Sequence, residues 1–529
     1  MGGRFFLAFV CGCALAACAK AVPMPQHSGT LTIAILGEPF SLNPLYLQDG
    51  AASMIGELGY SYLTNYDAHG TIVTDVAATV PTLANGGISR DGKRITYHLR
   101  RDVRWQDGVP LTSRDVVFTY RAIMNPNNTV PSRDAYDRIA WVQTPDRYSV
   151  IVELKQPYAP IVPNFFGGDS NYAILPVHLL AAYPNLNHVA YNGAAIGSGP
   201  YRFSSWARGD RLDLTSNVRY YAGAPAIRHV SLRFVHDLST IVNELLTHEV
   251  DATFFADVSK IATLRAIPNH RVIVTPVPYF CAAAFNVTAP LVSDIAVRRA
   301  FALAIDRRLI VDKLAHGIND PSTGMRGLFT WAFDRGAGTL GYDPQRAQTL
   351  LARDGWVAGS DGIRVKGGRR LEIQVIFYAT GTAAHFVPLL AEEERAIGIN
   401  VTTKGYGNEL FAPDGPLYQG RFQAALLNYQ SGLDPDPSWL VSCAQRAPNG
   451  FNWARYCNPA VERALQRGIS LYDRTARRRI YRFVQRQLIA DVPYDFLWQI
   501  SEIDVLPSRL RGYDAPLLSP YNSVAHWSW

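Results

Sequence analysis

Cysteine is scarce in this chain: six in 529 residues, three of them within the first eighteen. Beyond residue 18 only Cys281, Cys443 and Cys457 remain, with no CxxC pair and no Cys/His set at zinc spacing. A disulfide-dense small scaffold and a zinc-organised domain are therefore excluded. Charge is low at 18% and runs in no blocks; Lys+Arg (51) and Asp+Glu (44) are interspersed, for a net +7. A nucleic-acid binder would concentrate its basic residues on one stripe, so no nucleic-acid partner is expected. There is no repeat, no low-complexity stretch and, after residue 17, no long apolar run. A mean hydropathy of −0.03 argues against a multi-span membrane protein.

What is present is a long, core-forming chain. At 48% hydrophobic it can bury roughly three domains' worth of interior at about 150 residues per domain. The first eighteen residues, MGGRFFLAFVCGCALAAC, place one charge at Arg4 before an apolar run from Phe5 to Ala17. That is a secretory signal rather than a membrane span. Leu15-Ala16-Ala17-Cys18 resembles a bacterial lipobox, which would make Cys18 the lipidated first residue; the alternative is a plain signal peptide cut at A-x-A. Residues 19–28 read as a polar, Pro-containing tether. The chain is expected outside the cytoplasm, where Cys443 and Cys457, flanking a turn-rich loop, would join and contribute about 3 kcal/mol. Three free thiols are the alternative, and Cys281 is the odd one left in a core.

Both structural periods recur. Thr30–Leu36 reads as a buried first strand, and Ile95, Tyr97 and Leu99 alternate inward after the Ser89–Lys93 turn. Thr112 caps a helix, as do Ser293 or Asp294 and Asp343, the last followed by Pro344 with Gly355 closing the helix. Strands are expected near 148–154, 211–214, 230–234, 371–377 and 399–403, with a helix over Ala383–Ala396. The mixture implies an α/β or α+β globule in several lobes.

Catalytic motifs fail one by one. Gly87–Lys93 has phosphate-loop spacing, but Arg94 stands where Ser or Thr must reach magnesium. His248-Glu249 lacks the second His, since Ala252 occupies its place. Gly197-Ser198-Gly199-Pro200 is not a nucleophile elbow. Asp434 and Asp436, interleaved with Pro435 and Pro437, sit on a stiff loop better suited to anchoring a ligand than to acid–base work. No catalytic residue, metal or cofactor is expected.

An ordered set of segments carries a resemblance: GEPFSLNPLY (37–46), ITYHLRRDVRWQDGVPLTSRDVVFTY (95–120), GSGPYRFSSWARGDRLDL (197–214), FNVTAPLVSDIAVRRAFALAIDRRLIV (285–311), GYDPQRAQTLLARDGW (341–356), LDPDPSWLVSCAQ (433–445) and YCNPAVERAL (456–465). Together they resemble the extracytoplasmic solute-binding proteins of ABC importers, family 5, the peptide and nickel receptor class. The resemblance implies an α/β two-lobed periplasmic-binding-protein fold, class II of the large cluster C type, with an inserted domain. Lobe I would take 29–71, 196–282 and 495–529, the inserted domain 72–195, and lobe II 283–494. The hinge would lie near Tyr279–Asn286 and Leu497–Ile503. It also implies a monomer that hands a peptide or other solute to a membrane permease.

Within that pattern Trp105 is read as a core anchor rather than a ligand platform, and Arg298, Arg299 and Asp306 as salt-bridged surface residues. Two positions depart from the peptide-binding members: Ser431 stands where an amine-binding Asp is usual, and Phe377 where dipeptide relatives carry Arg. Tyr406, Asn408, Tyr429, Ser431, Asp434, Asp436 and Phe377 are the cleft candidates. Dipeptides become doubtful; longer peptides, oligosaccharides and metal chelates stay open, with an extracytoplasmic hydrolase as the alternative of another class.

Overall fold

A computed structural model describes residues 29–46, 50–168, 172–321, 325–338, 340–379, 382–515 and 517–529. The signal segment, Cys18 and the tether 19–28 lie outside the described residues. In chain order the strands of the two main sheets are β1 (Thr30–Leu36), β2 (Arg94–His98), β3 (Ile139–Asp146), β4 (Ser149–Leu154), β5 (Tyr201–Ala207), β6 (Arg211–Ser216), β7 (His229–Val235), β8 (Ala252–Thr253), β9 (His270–Phe285), β10 (Glu372–Tyr378), β11 (Asn400–Tyr406), β12 (Ala424–Gln430) and β13 (Tyr494–Pro507). The helices used below are α1 (Ser113–Met124), α2 (Leu238–Leu246), α3 (Ile295–Ala304), α4 (Arg307–Leu314), α5 (Pro344–Arg353), α6 (Val387–Ala396), α7 (Pro459–Ser470) and α8 (Arg474–Asp491).

One mixed sheet of ten strands, ordered β11-β10-β12-β9-β13-β8-β1-β7-β6-β5, runs through both lobes. In the first, β1 lies parallel to β7 and β8, its Leu31, Ile33, Ala34 and Ile35 buried, as a strand covered on both faces requires. In the second, β10 is parallel to β11 and β12. Between them stand the two longest strands, β9 and β13, paired antiparallel from His270↔Pro507 to Ala284↔Tyr494. The far end of β13 meets β8 at Val505↔Thr253, while the far end of β9 meets β12 from Tyr279 to Phe285. The chain thus passes from one lobe to the other along β9 and returns along β13.

The pair is interrupted twice, at Cys281/Ala282 and, earlier along β9, at two prolines. Its register shifts between Pro276, opposite Ser501, and Tyr279, opposite Ile500, so Val277 and Pro278 have no partner residue on β13. The sequence dictates this place, because Pro276 and Pro278 have no N–H to give to a ladder. The freed carbonyls are taken otherwise: Gln499 Nε2 donates to Val277 O (2.8 Å) and the Ser431 N–H to Pro278 O (3.0 Å).

The inserted domain is built on a three-stranded sheet, β2-β4-β3, with α1 against it. Thr112 and Asp115 form a reciprocal capping box at the start of α1. Asp115 also accepts from Trp105 Nε1 (3.3 Å) and the Val177 N–H (3.0 Å), and Trp105 is 1% exposed. Trp105 is therefore a core anchor. Gln106 beside it reaches Tyr201 O (2.7 Å) and accepts from the Gly197 N–H (3.1 Å), stitching the domain to the start of β5. Gly197 must be glycine, since a Cβ there would stand 1.8 Å from Gly59 O.

Several local expectations differ from what is observed. The helix expected over Ala383–Ala396 begins its α turn at Val387, after a 3₁₀ turn at Thr382–Phe386, because Pro388 fits a first helical turn. Arg298 and Arg299 are not salt-bridged surface residues. Arg298, 6% exposed, donates to the carbonyls of Asp491, Val492, Val292 and Ser293, and Arg299 to Ala490 O. Helix α8 ends there with Val492 at φ +46°, and the two guanidinium groups satisfy its last carbonyls. Asp306 is the N-cap of α4, accepting from the Leu309 N–H at 3.0 Å. Cys443 and Cys457 are joined in a disulfide, and the Cys281 thiol is buried, its pKa pushed up by desolvation.

Trp105→Ala is expected to cost about 3–5 kcal/mol, because it removes a fully buried ring and one of the donors on Asp115. Urea denaturation followed by tryptophan-independent circular dichroism measures this; a loss under 1 kcal/mol would contradict the anchoring role.

Candidate functional site

Where β9 and β13 cross between the lobes, they form the floor of a cavity of about 170 Å³. The first lobe contributes Leu238 at the start of α2 and the Phe255–Val258 segment that follows β8. The second contributes Ile310, Val311 and Leu314 of α4, Phe386 and Trp498; the crossing strands add Tyr279, Ile500, Ser501 and Glu502. Two aromatic contacts shape it. Phe255 stacks on Tyr279 (6.1 Å, 7°), and Phe386 meets Trp498 edge-on (5.4 Å, 78°). Phe255 is held at φ +56°, a conformation disfavoured for an aromatic residue and of the kind that clusters at working sites.

Most of the wall is apolar, and its charge comes from two acids. Glu502 lines the cavity and is 4% exposed; Asp504 follows two residues on, facing the same side of β13. Burial pushes Glu502 well above the usual carboxylate range, and the neighbouring Asp504 adds to it. Asp504 is raised to about 6, again by burial, against the hydrogen bond it accepts from the Tyr513 hydroxyl (2.5 Å). Asp257, the third acid, is engaged in a turn, accepting from the Ser259 N–H and hydroxyl. Among the described residues no group of three His, Cys, Asp or Glu side chains is placed to hold a metal ion.

None of the seven cleft candidates from the sequence lines this cavity. Phe377 is half-buried near the end of β10, with Gly405 beside it, and Tyr406 ends β11 under Lys404 Nζ (4.7 Å). Asn408 accepts from the Tyr378 hydroxyl (2.9 Å). These three gather at one end of the second lobe. Tyr429 belongs to the core: it is 6% exposed, stacked on Phe280 (5.3 Å, 13°) and edge-on to Tyr494. Ser431 is buried, its N–H on the bulge carbonyl of Pro278.

Nor is Asp434 a free anchoring charge. Both its oxygens are taken by Arg477, at 2.8 and 2.6 Å, and Arg477 also reaches Gly468 O and Tyr481. Asp436 accepts from the Ser438 hydroxyl (2.6 Å) and N–H (3.1 Å) and is pushed up to about 6, by burial first and then by Asp434. The Asp-Pro-Asp-Pro loop is thus a charge-paired brace on α8. Of the residues around this cavity, Tyr279, Trp498 and Glu502 fall in the stretches expected as hinge but were not named as ligand groups, and Phe255 and Asp504 were not singled out at all. The available signal was Glu502 and Asp504 at i, i+2 inside the otherwise apolar strand LWQISEIDVLP.

Comparison with known proteins agrees with this architecture. The family described as bacterial extracellular solute-binding proteins, family 5 Middle, matches residues 78–451. The chain is 28% identical to Protein XP55 of Streptomyces lividans over 507 residues, covering 94% of this chain and 89% of that protein. It is 26% identical to the oligopeptide-binding protein AppA of Bacillus subtilis over 518 residues, covering 96% and 93%. Among solved structures, NikZ of Campylobacter jejuni in complex with Ni(L-His) superposes with a TM-score of 0.80 at 25% identity, covering 95% of this chain and 99% of that one.

Two outcomes are expected from the acidic loop. Asp434→Asn leaves Arg477 buried and unpaired and is expected to cost about 3–5 kcal/mol in denaturant unfolding. Asp436 behaves oppositely. Between its unfolded value near 3.9 and about 6 when folded, the native state holds a proton the unfolded chain has released, so its contribution to stability falls as pH rises. Asp436→Asn is therefore expected to be more stable than the parent at pH 7, with the gain vanishing below about pH 4; a gain that persisted at pH 3.5 would contradict the assignment.

Proposed function

The chain belongs to the bacterial extracellular solute-binding proteins, family 5, and from that premise we propose that it is the receptor of an ABC importer, capturing peptides between its two lobes and delivering them to a membrane permease. The observation that carries this reading is the cavity at the crossing of β9 and β13, with walls from both lobes. A solute held there touches both halves at once, so it favours the closed arrangement by its differential affinity, and binding and closure become one event. The peptide assignment is supported by the relative named as an oligopeptide-binding protein. We read the chain as a monomeric receptor and not an enzyme.

The domain limits proposed are 29–71, 196–282 and 495–529 for lobe I, 72–195 for the inserted domain and 283–494 for lobe II. The division between the first and second lobes is supported by the buried clusters: one joins Leu31, Tyr97, Trp105, Tyr201 and Trp527 across lobe I and the inserted domain, while two others, around Phe285 and Phe301 and around Phe280 and Tyr481, flank the second lobe's sheet. Cys18 is proposed as the lipid anchor, with residues 19–28 as the tether.

A second reading, a small non-peptide solute, is favoured by the cavity itself. About 170 Å³ is the space of a few water molecules, at roughly 30 Å³ each. Closed this far, the lobes hold a small molecule or the end of a larger one.

Residues 18–529 carrying Cys18→Ser, purified natively and then denatured, are expected to release a ladder of short peptides readable by mass spectrometry. A single sugar, chelate or other small solute would keep the receptor reading and overturn the peptide assignment. In the native host Cys18→Ser is expected to move the protein from the membrane fraction to the soluble one; a protein that stays soluble in both forms would refute the anchor.

A further inference from the structure

Among the described residues no cation is paired with Glu502 or Asp504. Arg307–Asp495 and Arg477–Asp434, also deeply buried, are ion pairs. Glu502 Oε1 and Asp504 Oδ1, by contrast, meet no donor. Asp504 is met by the Tyr513 hydroxyl and the Phe255 backbone N–H and shares a hydrogen bond with Glu502, and the one charged neighbour that perturbs Glu502 is Asp504 itself. Holding two carboxyl groups so close, out of water and with no counter-charge, is among the costlier arrangements a fold can keep. A second buried acid, Glu394, shows the contrast: it is 0% exposed with both oxygens unpartnered, but it lies within the second lobe and does not line this cavity. Glu502 lines the cavity between the lobes, together with the stacked rings of Phe255 and Tyr279.

Resting on the receptor reading above, we propose that the solute is recognised through a cationic nitrogen, a protonated amine or guanidinium, seated on Glu502 with Asp504 behind it and against the faces of Phe255 and Tyr279. Such a group supplies the charge that the acidic pair lacks, and the two aromatic faces attract the same cation through their quadrupoles. Phe255 comes from the loop after β8 and Tyr279 from β9 just past the bulge. The raised affinity of both acids for protons when the site is empty is the same deficit of positive charge seen from the protein's side. The nitrogen has two possible sources, the terminus or basic side chain of a peptide and a non-peptide amine.

The test uses residues 18–529 with Cys18→Ser, freed of bound solute, and their Glu502→Gln and Asp504→Asn variants. Four probes are titrated by thermal shift: random tetrapeptides with free amino termini, the same peptides N-acetylated and lacking Lys, Arg and His, a mixture of aliphatic diamines and polyamines, and neutral oligosaccharides. Stabilisation is expected from the free-amine peptides or from the polyamines, the first marking a peptide source and the second a non-peptide one. Little is expected from the acetylated peptides. Glu502→Gln, which keeps size and shape, is expected to weaken the responding probe at least tenfold without lowering the melting temperature of the empty protein, and Asp504→Asn to weaken it less. Equal response to acetylated peptides, or an oligosaccharide response unchanged in Glu502→Gln, would overturn the cationic-nitrogen inference and leave solute capture standing. A protein that responds to none of the four probes would overturn the inference, and one that also releases nothing on denaturation would take the receptor reading with it.

Discussion

The antiparallel pairing of β9 with β13 is the constraint on which the rest depends. These two strands belong to both lobes at once, pairing with β12 at one end and β8 at the other. Every ordering of the ten-stranded sheet passes through them. A continuous ladder of that length would be a stiff plank, and two rigidly joined lobes could not close on a solute. The Thr275-Pro276-Val277-Pro278 segment removes two ladder donors where the lobes meet, leaving a bulge whose carbonyls are held by side-chain and loop donors instead of by a strand. The ladder is thereby weakened where the lobes meet, and the same stretch contributes Val277 and Tyr279 to the lining of the cavity.

Charge burial follows the same geography. Far from the crossing, buried cations are fully spent. Arg298 and Arg299 close the end of α8, Arg307 is paired with Asp495 and four carbonyls, and Arg477 is paired with Asp434. These groups fix helices to strands and to one another, and removing one partner would strand the other in a medium that solvates it poorly. At the crossing the pattern reverses, and two acids are buried with no cation. Unlike Glu394, which is unpaired inside the second lobe, Glu502 carries this deficit of positive charge at a wall of the cavity.

Much of the fold was legible in the sequence because it rests on local rules. Alternation placed β2, β-branched and apolar runs placed β1 and β4, and Asp or Thr before an apolar helical stripe placed the starts of α1, α3 and α5. The two-lobed architecture came from the resemblance of ordered segments rather than from periodicity. The exact position of the bend was less accessible. The stretch expected on the return strand, Leu497–Ile503, contains the Ile500–Ser501 step, but the outgoing one was set from Tyr279, just past the bulge that Pro276 and Pro278 impose. The candidate site was hardest to read. Asp434, Asp436 and Tyr429 looked like ligand groups because they are polar or aromatic on a turn-rich loop, yet the first is neutralised by Arg477, forty-three residues away, and Tyr429 is packed against Phe280 from another strand. Local sequence cannot show that a carboxylate has already found its cation. The acids that have none are hidden inside an apolar strand, where only their two-residue spacing betrays a shared face.

Several contacts join the lobes without a solute. The inserted domain meets the second lobe through Tyr472, whose hydroxyl donates to Gly92 O (2.9 Å) or Tyr158 O (3.2 Å), through the Ala159 N–H on Ile469 O (2.6 Å) and through burial of Ile469 among the first lobe's apolar side chains. Near the crossing Asp320 pairs with Gln499, and the Ser501 N–H donates to Asn319. Hydrogen bonds of this kind contribute about 0.5–1.5 kcal/mol each net of water, and they compete with the ordering of the parts they join. The cavity adds to this set only when filled, since its apolar walls and uncompensated acids contribute little until then. In such an arrangement the solute supplies the missing term of the closed state, and the identity of the solute is set by what that term must be: enough apolar surface to cover Phe255, Tyr279 and Trp498, and a charge of the sign that Glu502 and Asp504 lack.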